Sequence, residues 1–369
     1  MKAAVITRHG ISNYGSLLQA MATQQVIEDM GHTCEIIDYI RDDESYMQQE
    51  KTLLRRKPEW NENPVKRMLY LAVRQPAGIA AGRYFEKARR KYLQLSKRYT
   101  AREQLVREKP EADVYITGSD QVWGPVENGS YDSSYCLSFT EETDRRIAYA
   151  ASFGHTDMTP ELQEYYRKWL SRYEYIAVRE DSAAEILKNM GIRAVQVLDP
   201  TLLLDAAYWS RYMQPVREGK YMLIYQLHND RKLDEYAEKA AAARNLPLIR
   251  ISASLHQISR KGKFVWLPEI GQFLSYIKHA ECLITDSFHG TAFAINFHTP
   301  FVEVLPDNNT GTRNMSILKM TGLTDRILTN VNDTALAERK IDYTEADRIL
   351  ADKRKESLGI LRSMIEKTG

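Results

Sequence analysis

The stretch Leu283-Ile-Thr-Asp-Ser-Phe-His-Gly-Thr-Ala-Phe-Ala-Ile-Asn296, LITDSFHGTAFAIN, moves from strand to helix within a few residues. Its apolar opening reads as a buried strand, Asp286 and Ser287 are residues that cap helices, and TAFAIN continues as an apolar helix. Such a step belongs to a parallel sheet, so the stretch points to an α/β fold. It also places His289 at a helix start, where backbone N–H groups and the macrodipole favour an anion. The same dipole disfavours a protonated imidazole, so His289 is expected as a neutral N–H donor until an anion arrives. Gly290 is expected to let a ligand approach the backbone. A structural histidine is the alternative; the polar Thr-Asp-Ser and the glycine around it favour a ligand site.

The same step recurs on either side. At the N-terminus KAAVIT is a strand, RHGISNYG a loop, SLLQAMATQQVIEDMG a helix closed by Gly31, and CEIIDY the next strand. ADVYITGSDQVWG and RRIAYAASFG continue the series. A second series follows: EYIAVRE, SAAEILKNMG, AVQVLD, YMLIYQLH, LDEYAEKAAAARN, PLIRIS, EIGQFLSYIKHAE, CLITDS and PFVEVL. Two alternating runs predict two doubly wound α/β domains, residues 1–160 and 161–340, joined by a helix in TDMTPELQEYYRKWLSRYEY. A charged helix over 341–369 closes the chain.

Residues 41–109 form a helical insertion in the first domain. Between Lys51 and Arg102 there are fifteen Lys or Arg against three Glu, mixed with apolar and aromatic residues. Pro76, Gly78 and Gly82 are expected to separate two helices there. Solvated basic faces explain most of this charge. The sharper alternative is a basic amphipathic surface for a phosphorylated, membrane-held substrate, with peripheral contact at the inner face of a membrane.

Composition narrows the class. The 369 residues are 43% hydrophobic and 27% charged, with a formal net charge of +2, so overall charge gives no support for a nucleic-acid partner. Cys34, Cys136 and Cys282 match no metal-ligand spacing and read as reduced core residues of a cytoplasmic protein. Neither a signal peptide nor a membrane span is expected. His32 and His279 have no ligating neighbours at zinc spacing, so no metal is expected. The loop after the first strand is neither GxGxxG nor GxxxxGKS, which argues against an ordinary dinucleotide or Walker-type site.

Polar residues gather instead in the loops at strand ends, which face ligands in open α/β sheets. Asn13, Tyr14, Gly15 and Ser16 follow the first strand. TGSDQVWG offers Ser119, Asp120 as acceptor of a hydroxyl proton, and Gln121 as a hydrogen-bond partner for a sugar; an ordinary turn over Trp123 is the alternative. In VREDS, Arg179 presents a planar fork suited to a carboxylate or phosphate, or else pairs with a neighbouring Glu. Together with Asp286, Ser287, His289 and Gly290, these loops are expected to converge between the domains.

NYGSLLQA, GSDQVW, AYAASFG, VREDS, VLDPTLLL, TDSFHGTAFAINF and RNMSILKMTGLTDRIL, in this order, resemble the polysaccharide pyruvyl transferase family. Gly124 after the Trp and Arg313 in EVLPDNNTGTR depart from its pattern, where Asn and Lys are usual. The resemblance implies two Rossmann-like domains in a GT-B-like fold, the first on the acceptor side and the second binding the donor. It implies transfer of a pyruvyl group from phosphoenolpyruvate to two sugar hydroxyls of a polysaccharide or lipid-linked precursor, giving a cyclic ketal without cofactor or metal. His289 is then the acid, Arg179 and Arg313 the donor's cationic contacts, and Asp120 the base toward the acceptor. A nucleotide-sugar glycosyltransferase on the same fold, or a non-catalytic partner in glycan assembly, are the alternatives.

Overall fold

The computed structural model describes residues 1–156, 158–306 and 311–367. It divides into two compact units, one made of Met1–Pro200 with the chain end from Glu356, the other of Thr201–Lys355. Each is built on a wholly parallel sheet flanked by helices.

The N-terminal unit holds β1 (Lys2–Ile6), β2 (Thr33–Ile36), β3 (Val114–Thr117), β4 (Arg146–Ala151), β5 (Tyr175–Val178) and β6 (Val195–Gln196) in the order β2-β1-β3-β4-β5-β6. The C-terminal unit holds β7 (Met222–Tyr225), β8 (Leu248–Ser252), β9 (Lys263–Trp266), β10 (Cys282–Thr285) and β11 (Phe301–Glu303) in the order β11-β10-β7-β8-β9. In each sheet the chain reverses its direction of growth once. The crevice beyond the carboxyl ends of the strands at such a reversal is where open α/β sheets bind ligands. Here those switch points lie between β1 and β3 and between β7 and β10.

The strands are short and apolar because both faces are covered. Ala3, Ala4, Val5 and Ile6 are fully buried, as are Met222, Leu223 and Ile224. Trp123 lies beneath the loop after β3, its ring 5.0 Å from that of Phe153. All three cysteines are buried and unpaired with one another.

Four expectations change. The boundary falls after Pro200 and not near residue 160, because β5 and β6 extend the first sheet: Ile147 pairs with Tyr175, and Ala177 with Val195. The helix Pro160–Leu170 is therefore the β4–β5 crossover, burying Tyr166 and Leu170 in the first core, and is not an interdomain link. The final helix, Thr344–Glu366, is divided between the units: Arg354 bonds the Leu202 carbonyl, and Ser357 accepts from the Leu198 N–H at 3.0 Å. Pro76, Gly78 and Gly82 separate nothing, since one helix runs from Pro64 to Tyr92. The glycines serve close packing instead. A Cβ on Gly82 would overlap Tyr46, and one on Gly78 would sit 3.1 Å from Glu50.

Candidate functional site

Each switch point gathers its own polar cluster. In the N-terminal unit the loop after β3 carries Asp120 at φ 77°, a left-handed conformation costly for an aspartate. Its position is held from several sides. Ser16 Oγ donates to Oδ2 at 2.5 Å, the Gln121 N–H donates to Oδ1 at 2.9 Å, and Arg179 Nη2 reaches Oδ1 at 3.4 Å. The Arg179 guanidinium, shut off from solvent, also donates to Asp199 at 3.0 Å and lies 3.4 Å from Glu180. Ser119 Oγ donates to the same Asp199 carboxylate at 2.8 Å. Burial works to lower the arginine's pKa, but Asp120, Asp199 and Glu180 outweigh it and raise it above the ordinary value.

The fork expected to reach into a cleft is thus occupied by carboxylates of its own unit. Arg179 acts here as the buried counter-ion that aims Asp120, and the neighbouring-Glu pair read as its alternative is present as one contact of three. Asn13 caps the helix Tyr14–Asp29, accepting from the Ser16 N–H at 3.3 Å. Tyr14 is fully buried with its ring edge on Phe85, and Gly15 is buried beside it. The expected NYG loop therefore contributes Ser16 to the cluster, while Asn13 and Tyr14 hold the helix in place. Gln121 packs its amide under Gly154, and Gly124 has a close neighbour in the Phe153 carbonyl, 2.9 Å from where a Cβ would stand. An asparagine at 124 would not fit this loop.

Two residues of this switch point escaped the sequence reading. Arg8, after β1, pairs with Glu44 at 3.3 Å and lies 5.6 Å from the Tyr135 ring centre. His9, fully buried, lies 3.3 Å from Asp38. Burial works to raise the Asp38 pKa, but the contacts with His9 and Arg98 lower it overall. The sequence RHG carried both residues, but nothing in it distinguished them from a polar turn.

In the C-terminal unit, Ser287 is the N-cap of the helix Phe288–Phe297, accepting from the Gly290 N–H at 3.3 Å. His289 stands in the first turn, 6% exposed, with Phe288 edge-on at 5.2 Å. Asp286 accepts the N–H groups of Leu227 and His228 at 2.7 and 2.9 Å, and His228 Nδ1 lies 3.2 Å away. It ties the β10 loop to the β7 loop across the switch point, and it brings in a second histidine that the sequence reading passed over. Gly290 has no room for a side chain: a Cβ there would lie 2.5 Å from Thr285 Oγ1. Arg313 lies half-buried in the first turns of the helix Gly311–Thr321, next to Asn314. Residues 307–310 of the EVLPDNNTGTR segment lie outside the described residues.

Beneath this loop lies a buried carboxyl. Glu303, at the end of β11, accepts from Thr291 Oγ1 and from Asn314 Nδ2 at 2.5 Å, and Asn314 also donates to the Asp286 carbonyl at 3.4 Å. Burial pushes the Glu303 pKa up to about 8, the bonds from Thr291 and Asn314 oppose that, and Asp286 adds to it. Its signal was a lone acid in the apolar run PFVEVL.

A family model described as polysaccharide pyruvyl transferase matches residues 13–308. No curated protein matches the chain. Among solved structures, UDP-GlcNAc 2-epimerase from Neisseria meningitidis bound to UDP-GlcNAc is similar, with a TM-score of 0.53 and 9% identity over 100% of both chains. A protein described as a UDP-N-acetylglucosamine 2-epimerase from Listeria monocytogenes gives 0.56 and 11%, over 100% of this chain and 97% of its own. At such identities the likeness is one of fold, and that fold is GT-B-like: two parallel-sheet α/β domains.

Proposed function

The chain belongs to the polysaccharide pyruvyl transferase family, and we propose that it moves a pyruvyl group from phosphoenolpyruvate to two hydroxyls of one sugar, forming a pyruvate ketal. The acceptor is a polysaccharide or a lipid-linked glycan precursor. The observation that best supports this is His289 in the first turn of a helix at a sheet's switch point, where an anionic donor is favoured.

The donor carries a phosphate and a carboxylate. First-turn N–H groups, which a helix cannot bond internally, suit the phosphate, with Arg313 of the same unit as a cationic contact. The imidazole of His289 delivers a proton to the methylene carbon, leaving an oxocarbenium-like centre at the neighbouring carbon. A sugar hydroxyl adds there and gives its proton to Asp120. The carbon–oxygen bond to phosphate breaks, the second hydroxyl closes the ring on the same carbon, and its proton leaves with the departing inorganic phosphate. Arg179 is a positioning residue in this scheme, fixing the Asp120 carboxylate. No step requires a metal, since arginine and histidine meet the phosphate's charge.

Titration calorimetry with phosphoenolpyruvate tests the donor. Saturable binding that weakens at least about tenfold in His289→Ala is expected. Thermal protection by a nucleoside diphosphate, with none from phosphoenolpyruvate, would assign the fold to nucleotide-sugar chemistry instead.

A further inference from the structure

The helix Pro64–Tyr92 carries an unusual outer face. Val65, Met68, Leu69 and Val73 are 69, 68, 56 and 66% exposed, and Ala72 and Pro76 are exposed beside them. At 3.6 residues per turn, 65, 69, 72 and 76 fall on one stripe. The stripe borders an apolar groove lined by Pro64, Met68, Leu71, Ala72, Pro76 and Ile79. Continued along the helix, the same face reaches Arg83, Lys87 and Arg90, all exposed, with Lys91 next to it. The opposite face is the one that packs, through Tyr70, Ala81, Phe85 and Ala88.

One helix thus presents an apolar half and a cationic half to the same side. Four large apolar residues at this exposure on one side of a helix are poorly explained by solvation alone. A second copy of this chain would bring the same cations, Lys51 to Arg102 carrying fifteen against three Glu, so charge disfavours self-association. A surface of anionic headgroups over an apolar interior matches both halves at once: the cations meet the headgroups and the stripe enters the acyl boundary. Among the described residues no helix is long and apolar enough to cross a membrane, so the contact would be one of lying on the surface.

We propose that the outer face of the helix Pro64–Tyr92 docks this protein onto an anionic lipid bilayer. Cosedimentation of the full chain with vesicles tests it directly. Expected is binding to phosphatidylcholine vesicles containing about a third phosphatidylglycerol, weak binding to pure phosphatidylcholine, and release at about 1 M salt. Met68→Glu with Leu69→Glu, and separately Arg83→Glu with Lys87→Glu, should each weaken binding about tenfold or more while leaving the thermal midpoint unchanged. Absence of binding to the anionic vesicles, or binding by both variant pairs as strong as that of the unsubstituted chain, overturns the proposal. So does a concentration-dependent dimer that Met68→Glu with Leu69→Glu dissociates, which would make the stripe a contact between copies.

Discussion

Asp120 holds a backbone conformation that an aspartate adopts only under constraint, and its carboxylate is gripped by Ser16, by its neighbour's N–H and by Arg179. Strain kept at a strand-end loop by so many partners fits a group that must be aimed. Asp120→Asn should retain phosphoenolpyruvate affinity and lose on the order of a hundredfold in turnover, read by steady-state phosphate release. Arg179→Ala should behave differently. It strips the cation from three buried carboxylates, so urea unfolding should show a loss of about 3–5 kcal/mol. Glu303 predicts a pH dependence. Its pKa is raised from the ordinary 4.5 to about 8, so the folded state holds its proton where the unfolded chain has released it. The contribution is complete below about pH 4.5 and is lost as pH rises to about 8, a few kcal/mol in all. Chemical denaturation across that range should show the decline, and Glu303→Gln should flatten it.

At the scale of elements, the βα steps follow from local sequence, and so do the caps. Asn13 and Ser287 stand where a strand gives way to a helix, and both accept the N–H three residues on. What the sequence could not display is which partner a glycine or an acid meets across space. Gly290 in isolation does not reveal that Thr285 fills the space where a Cβ would stand. Gly290→Ala should therefore destabilise by about 1–3 kcal/mol through overpacking, measured by denaturant midpoint. Gly82 looks like a helix breaker until Tyr46 is seen against it. The strand β9 went unread because its residues, KFVW, are half-exposed at a sheet edge and give only a short apolar run. Asp199 was legible only as part of VLDPTLLL; its link to Ser119 and Arg179 depends on the fold.

For the whole molecule, strict alternation repeated twice was enough to recover two parallel-sheet units, since each strand covered on both faces leaves a continuous apolar run. The boundary between them was not recoverable from alternation, because β5 carries no mark of which sheet it joins. The proposed ketal formation rests on family membership and on the switch-point placement of Asp120 and His289. Its most direct test is incubation with phosphoenolpyruvate and a panel of free and lipid-linked glycans, followed by mass spectrometry of the glycans. The account predicts one ketal formed for each phosphate released, with neither in His289→Ala. Phosphate-free glycosyl transfer from a nucleotide sugar, or an unmodified panel when phosphoenolpyruvate is bound, would contradict it.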